Sequence, residues 1–288
     1  MNTTLKKAIL AITVPVMERA ARAYVAGPEL EDALRVSRKL VERDCSSILC
    51  FWDGPDDDPS RIAGAYAAAI LSALTESSDT YVALKAPSLR YSRELIAGLI
   101  PAAQNKNIRL HFDALDVDTV DPTIALISDL LPSYSQFGCT LPGRWKRSIT
   151  DTDWAVSQGL CVRVVKGQWP DPADPKADLR AGFLKVIAQL AGRAKLVGVA
   201  SHDPDVVRPA VQTLKDAGTP CEIELLYGLP VGPAMAIARS MNVPVRFYIP
   251  YGHAWLPYSL SQAKRNPRIL WWTMRDMLFR SRRNTVYS

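Results

Sequence analysis

The sequence predicts an α/β fold, a single (β/α)8 barrel of the TIM-barrel type with an N-terminal helical extension. Short β-rich apolar runs occur eight times along the chain, and segments with helical periodicity separate them. An open doubly wound sheet would alternate in the same way, but it gives no reason for the strands to stop at eight. No glycine-rich dinucleotide-binding turn follows any of the runs either. The length of 288 residues suits one barrel of about 250 residues with a short extension at each end.

The expected elements follow the chain in order. An amphipathic helix over 29–42 begins after the Gly27-Pro28 start signal, and we expect it to close the N-terminal mouth of the barrel. The strands are expected at 47–52, 81–86, 108–114, 137–141, 161–166, 196–201, 222–227 and 245–250. Helices are expected at 62–74, 93–100, 179–190, 204–217 and 232–241. No linker marks a second domain, so we divide the chain into a helical extension over 1–44 and the barrel over 45–288.

Composition and charge exclude several classes of protein. No apolar run approaches the roughly 20 residues that a membrane-spanning helix requires. The five cysteines and three histidines lack metal-ligand spacing, so we expect reduced thiols, no metal and a cytoplasmic location. The net charge of +6 is concentrated in a basic and aromatic tail over 271–283, which could contact an anionic membrane. Because the rest of the chain lacks a basic stripe, we interpret the tail as the last barrel helix and expect no nucleic-acid partner.

Charged and polar side chains are concentrated at the predicted carboxyl ends of the strands, where the working residues of such barrels lie. Strands of a closed barrel are buried on both faces, so a cation within one is costly unless it meets a carboxylate or an anionic ligand. Arg163 and Lys166 both occur in the fifth run, which predicts a phosphate-bearing cofactor there. The other candidates are Lys85, Asp113, Arg144, Ser201, His202, Glu224, Tyr227, Tyr248 and Tyr251.

Four stretches at these strand ends resemble the flavin-dependent proline dehydrogenase family. They are Val-Arg-Val-Val-Lys-Gly at 162–167, Ala-Ser-His-Asp at 200–203, Glu-Ile-Glu-Leu-Leu-Tyr-Gly at 222–228 and Val-Arg-Phe-Tyr-Ile-Pro-Tyr-Gly at 245–252. Trp255, Tyr258 and the Asn266-Pro267 pair continue the match, and the resemblance covers about residues 20–270. It implies an FAD at the C-terminal mouth of the barrel that takes a hydride from the carbon next to the substrate nitrogen.

The resemblance also implies roles for individual residues. Arg163 would lie near the reactive flavin nitrogen, where a cation stabilises the reduced flavin. Lys85 and Asp113 would pair beside the substrate, and together with Arg163 and Tyr248 they form the catalytic set. The cofactor-binding residues would be Arg163, Lys166, Gly167, Ser201, His202 and Glu224. The substrate-binding residues would be Leu226, Tyr248, Tyr258, Ser261, Gln262 and Arg265. From the residues alone, His202 could instead cap the helix that follows it, and Lys85 with Asp113 could be an ion pair that only fills the barrel.

The chain departs from the family where the substrate carboxylate is held. The family has two adjacent arginines followed by a glutamate, and this chain has Ser261, Gln262 and Arg265 at those positions. Neutral side chains do not replace charge-assisted hydrogen bonds worth about 1.5–3 kcal/mol each. Arg265 lies one helical turn beyond Ser261 and could reach a carboxylate from there. Pro142 also replaces a glutamine that contacts the flavin. We therefore expect an altered cyclic or secondary amine as the substrate in place of free proline.

Two other classes of function stay open at this point. A class I aldolase-like enzyme would form a Schiff base on Lys85 or Lys166 at a strand end. A non-catalytic flavin-binding relative is the other alternative, given the altered clamp. Because members of the family often pass electrons to a membrane quinone, the resemblance also implies such an acceptor, with the 271–283 tail docking the protein peripherally at the inner face of the membrane.

Overall fold

The structure, a computed structural model, describes residues 24–54, 56–76 and 80–253. Its centre is a closed barrel in which each strand pairs in parallel with the next one in sequence and β8 pairs with β1. The strands are β1 (Ser46–Phe51), β2 (Tyr81–Leu84), β3 (Leu110–Phe112), β4 (Phe137–Pro142), β5 (Cys161–Val165), β6 (Leu196–Ala200), β7 (Cys221–Leu226) and β8 (Val245–Tyr251). The predicted barrel class is therefore confirmed. The second and third strands are shorter than predicted.

Helices surround the barrel in the described part of the chain. They are α1 (Leu30–Val41), α2 (Pro59–Glu76), α3 (Arg93–Ala97), α4 (Ile100–Lys106), α5 (Val120–Leu130), α6 (Ser148–Ser157), α7 (Leu179–Leu190), α8 (Pro204–Asp216) and α9 (Gly232–Met241). The single helix predicted over 93–100 is two helices. Gly98 ends the first helix, and a proline in the first turn of the second helix favours its start.

Local capping signals place the two helices that border the carboxyl ends of β5 and β6. The side chain of Asp178 accepts hydrogen bonds from the backbone of Arg180 and Ala181 and so starts α7. The side chain of Asp203 accepts from the backbone of Asp205 and starts α8. Both starts agree with the sequence-based expectation, because an N-cap is a short-range feature.

Helix α1 lies against the outer face of the barrel. It packs on β1, β8 and α2, and the Ser37 hydroxyl lies 2.8 Å from the Ser47 hydroxyl of β1 in a fully buried contact. Leu34 and Leu40 belong to the same apolar cluster as Leu49, which β1 turns away from the barrel axis. The prediction that this helix closes the N-terminal mouth is therefore wrong, because its apolar side has a sheet surface to cover.

The inside of the barrel is charged. Near the N-terminal ends of the strands, the Glu222 carboxylate is held by Arg246 at 2.8 Å and by Arg109 at 3.0 Å. Burial alone would raise the pKa of Glu222, but the two guanidiniums outweigh it and lower that pKa. The Tyr81 ring lies against both arginines, with the Arg109 guanidinium carbon 3.8 Å and the Arg246 guanidinium carbon 4.9 Å from the ring centroid. Branched apolar side chains usually fill such barrels. Here charged side chains take their place, and they are tolerated because they pair with one another.

Candidate functional site

A cavity of about 600 Å³ opens at the carboxyl ends of the strands, a volume within the range of small-molecule and cofactor sites. Nine of the residues predicted from the sequence line it. They are Lys85, Asp113, Arg163, Gly167, Ser201, His202, Glu224, Leu226 and Tyr248. The barrel therefore brings together side chains that are widely separated in the sequence.

Arg163 lies at the floor of this cavity and is almost fully buried. Its Nε donates to Glu224 Oε2 at 2.5 Å, one terminal nitrogen donates to Asp113 Oδ1 at 2.5 Å, and the other donates to the Tyr81 hydroxyl at 2.8 Å. Burial opposes the charge of Arg163, but Glu224, Tyr81 and Asp113 outweigh it and raise its pKa well above the usual value. The expectation that this buried cation requires an anionic ligand is wrong, because carboxylates of the protein already neutralise it.

Asp113 links the floor to the wall of the cavity. Its Oδ1 accepts from Arg163, and its Oδ2 accepts from the Tyr248 hydroxyl at 2.6 Å. Burial and the neighbouring Asp113 carboxylate raise the pKa of Tyr248 well above its usual value, so the phenol keeps its proton and acts as a donor. Three of the predicted catalytic residues thus form one hydrogen-bonded chain.

Lys85, the fourth predicted catalytic residue, does not pair with Asp113. Its ammonium donates to the Phe51 carbonyl at 2.5 Å and to Asp53 Oδ1 at 3.2 Å. The expected Lys85–Asp113 ion pair is therefore wrong, because each partner has a nearer group of opposite charge. Burial alone would lower the pKa of Lys85, but its neighbours raise it well above the usual value, first the Cys50 thiol and the Tyr66 phenol and then the Asp53 and Asp113 carboxylates.

Lys166 is outside the cavity lining. Its ammonium lies 2.6 Å from Asp203 Oδ2, which also accepts from Arg180 at 2.9 Å. This cluster joins the end of β5 to the starts of α7 and α8. Gly167, which follows it, does line the cavity, and its φ of 91° lies in the left-handed region that favours glycine. The second cation expected to need an anionic ligand is thus also paired with a carboxylate of the protein.

His202 bridges two strand ends through the backbone. Its Nε2 accepts from the Leu226 amide at 2.9 Å, so its proton is on Nδ1, which donates to the Pro230 carbonyl at 3.0 Å. Burial lowers the pKa of His202, which favours this neutral form. The alternative that His202 caps the following helix is wrong, because Asp203 does so. His202 fixes the position of Leu226, a predicted substrate-binding residue.

Several lining residues were missed by the sequence reasoning. They are chiefly Trp52, Asp53, Trp145 and Trp169. Asp53 directly follows β1, so the strand-end rule that found the other candidates could have found it. Trp145 and Trp169 lie in loops and have no such signal; their mutual contact, from the Trp145 indole nitrogen to the Trp169 carbonyl at 2.9 Å, forms only in the fold.

Some predicted residues lie outside the part of the chain that the structure describes. They are Tyr258, Ser261, Gln262, Arg265 and the basic tail over 271–283. The substrate clamp and the tail therefore stay predictions. Within the described ranges, no helix is long and apolar enough to cross a membrane, and no cluster of histidine, cysteine and acidic residues could hold a metal ion.

Solved structures that superpose on this chain include proline utilization A proteins. One, from Bdellovibrio bacteriovorus and inactivated by N-propargylglycine, superposes with a TM-score of 0.73 and 14% identity over 85% of this chain and 32% of its own. A variant from Bradyrhizobium japonicum gives a TM-score of 0.68 with 19% identity, over 83% of this chain and 30% of its own. A third, with proline bound in remote sites, gives 0.65 with 18% identity, over 76% of this chain and 28% of its own.

These comparisons confirm the resemblance to proline dehydrogenases at the level of the fold. The chain spans only about a third of the length of the structures it matches. No protein-family model matches the sequence, and no curated protein matches it either.

Proposed function

We propose that this protein is an FAD-dependent oxidoreductase that removes a hydride from the carbon next to nitrogen in a small amine. The observation that carries the proposal is the cavity of about 600 Å³ at the strand ends, with the buried guanidinium of Arg163 at its floor. The fold shared with proline utilization A proteins supports the same chemistry. When bound, the flavin would supply the hydride acceptor.

The side chains that line the cavity fit such a cofactor. Arg163 has five N–H donors, and its hydrogen bonds to Glu224, Asp113 and Tyr81 use three, which leaves donors for a further acceptor. Gly167, Ser201 and His202 line the wall, where we propose that they hold the cofactor. Lys166 would support the cofactor site indirectly, because its ion pair with Asp203 holds the end of β5 in place.

The catalytic residues would orient the amine above this floor. Tyr248 is a protonated phenol whose hydroxyl is held by Asp113, so its oxygen has one fixed position. Leu226 supplies an apolar wall, and the amide bond to His202 holds it there. A substrate in this position would be packed between fixed groups with water largely displaced, which favours hydride transfer over side reactions.

Schiff-base chemistry is not supported by the charges at the site. A lysine must lose its proton to attack a carbonyl. The Lys85 ammonium is bound to the Phe51 carbonyl and to the Asp53 carboxylate, which favours its charged form, and the Lys166 ammonium is bound to a carboxylate at 2.6 Å. We therefore do not propose an aldolase.

The test is an absorption spectrum of the purified protein, followed by anaerobic titration of the FAD-loaded protein with amines. We expect a flavin spectrum that bleaches with a cyclic or secondary amine and recovers on addition of a soluble quinone. Arg163→Met should weaken FAD binding, whereas Arg193→Met, at an exposed ion pair with Asp153, should not.

Two results would contradict the proposal. A protein that neither carries nor takes up FAD would leave only the barrel. FAD that binds but that no amine reduces would favour a non-catalytic flavin-binding protein.

A further inference from the structure

Three carboxylates line the described part of the cavity, and they differ in how far the protein satisfies them. Both oxygens of Glu224 accept hydrogen bonds, from Tyr81 and from Arg163. Both oxygens of Asp113 do so as well, from Arg163 and from Tyr248. Asp53 differs, because only its Oδ1 accepts, from Lys85 at 3.2 Å. Among the residues described, Oδ2 of Asp53 has no hydrogen-bond partner, although the side chain is only 14% exposed.

The charge balance of the lining favours a cation. Among the described residues, the lining has three carboxylates, on Asp53, Asp113 and Glu224, and two basic side chains, on Lys85 and Arg163. With His202 neutral, these side chains sum to one negative charge. Both basic groups are already bound to carboxylates of the protein. Within the part of the lining that the structure describes, a substrate carboxylate would have to break an existing ion pair, whereas an ammonium group would meet an oxygen that is still available.

The lining of the cavity suits an ammonium group in a second way. Trp52, the neighbour of Asp53 in sequence, lines the same cavity, as do Trp145, Trp169 and Tyr248. Aromatic faces attract organic cations, and the attraction is stronger where water is displaced. A carboxylate accepts about four hydrogen bonds in total, so Asp53 can keep Lys85 while it binds a second cation.

We propose that Asp53 is the specificity-determining residue that binds the ammonium group of the substrate, and that the substrate is an amine cation without a carboxylate. Oδ2 of Asp53 accepts the ammonium proton before the hydride leaves, because only the neutral amine can lose a hydride to give an iminium. This inference rests on the proposed function and deepens it. It places the recognition charge directly after β1, the strand that pairs with the Tyr248 strand β8, in the same cavity as the chain Arg163–Asp113–Tyr248 that would orient the reacting carbon.

The experiment measures binding by calorimetry, with the FAD-loaded protein, of pyrrolidine, prolinamide and proline. The three ligands share a ring and a protonated nitrogen at neutral pH, and only proline has a carboxylate. We expect pyrrolidine and prolinamide to bind at least about tenfold more tightly than proline. The carboxylate of proline would have to break an existing ion pair of the lining, and one charge-assisted hydrogen bond is worth at least this factor. Equal or tighter binding of proline would overturn the proposal, as would the absence of pyrrolidine binding.

Variants locate the effect. Asp53→Asn should weaken pyrrolidine binding by at least about tenfold. The matched control is Asp56→Asn, the same change at an exposed residue of the same loop that does not line the cavity, and it should stay within about twofold of the parent. Unchanged pyrrolidine affinity in Asp53→Asn would overturn the proposal.

Two further measurements keep the outcomes distinct. If Asp53→Asn unfolds because Lys85 loses its partner, the double variant Asp53→Asn/Lys85→Gln removes both charges and should still lose pyrrolidine affinity. Pyrrolidine binding that depends on Asp53 in protein that takes up no FAD would support the ammonium site and refute the proposed oxidoreductase. FAD that amines reduce, with no dependence on Asp53, would do the reverse.

Discussion

Gly198 on β6 leaves room inside the barrel for the carboxylate of Glu224. A Cβ atom on Gly198 would lie 2.4 Å from Glu224 Oε1 and 2.8 Å from its carboxyl carbon, both closer than non-bonded atoms approach. The substitution Gly198→Ala must therefore move this carboxylate. Because both of its oxygens are bound, to Arg163 at 2.5 Å and to Tyr81 at 2.8 Å, the movement breaks a buried ion pair.

The cost follows from those two bonds. A hydrogen bond to a charged group contributes about 1.5–3 kcal/mol, and a buried group left without its partner costs a further 1–3 kcal/mol. The sum agrees with the roughly 3–5 kcal/mol lost when one partner of a buried ion pair is removed. We therefore expect Gly198→Ala to lower the free energy of unfolding by about 3–5 kcal/mol, and the melting temperature by on the order of 10 °C.

Urea and thermal unfolding measure this change, and Gly64→Ala is the control. Gly64 is an exposed residue of α2 with nothing within 4 Å of an added Cβ. In a helix interior, alanine is more favourable than glycine by about 0.5–1 kcal/mol, so the control should be slightly stabilised. If Gly198→Ala is as stable as the parent, Glu224 is not held as described and the reasoning about the charged interior is refuted.

Three shorter predictions concern the turns and side chains around the cavity. In Gly182→Ala the new Cβ would lie 2.1 Å from the Gly143 carbonyl, so the contact of α7 with the turn after β4 should open at a cost of about 1–3 kcal/mol in urea unfolding; an unchanged midpoint would contradict this. Burial lowers the pKa of His202, so its contribution to stability is complete above the unfolded pKa of about 6.5 and is lost as the pH falls below that value. His202→Gln should therefore flatten the loss of unfolding free energy between about pH 6.5 and 5, and an unaltered slope would exclude His202 as its source. Tyr248→Phe removes the donor 2.6 Å from Asp113 Oδ2 and should lower the free energy of unfolding by about 1–3 kcal/mol, measured by thermal unfolding. An unchanged free energy would mean that Asp113 does not depend on this donor.

The charged interior changes the interpretation of the strand-end cations. A buried Arg or Lys in a barrel strand was expected to indicate an anionic cofactor, yet Arg163 and Lys166 are both paired with carboxylates of other strands or loops. Their presence is therefore not in itself a sign of a phosphate ligand. The proposal of a flavin rests instead on the cavity above Arg163 and on the donors that this side chain retains.

The sequence by itself determined the elements and their order. Apolar runs, helical periodicity and N-caps such as Asp178 are local features, and because parallel strands joined by helices can close at eight, they were enough to predict the barrel. The rule that working residues lie at the carboxyl ends of the strands placed nine candidates in the cavity, because parallel strands bring their last residues to the same rim. Proline and glycine signals at Gly98 were available as well, but the break that they cause between α3 and α4 was not predicted.

Only the tertiary structure decided which charges are partners and where α1 lies. Arg163 and Glu224 are 61 positions apart in sequence, and Lys85 binds Asp53 although Asp113 was expected. Such choices depend on distances across the barrel and on side-chain length, neither of which sequence spacing encodes. The amphipathic pattern of α1 likewise fixed that one side must be buried, but the surface that it covers, the outer face of β1 and β8, exists only once the barrel has closed.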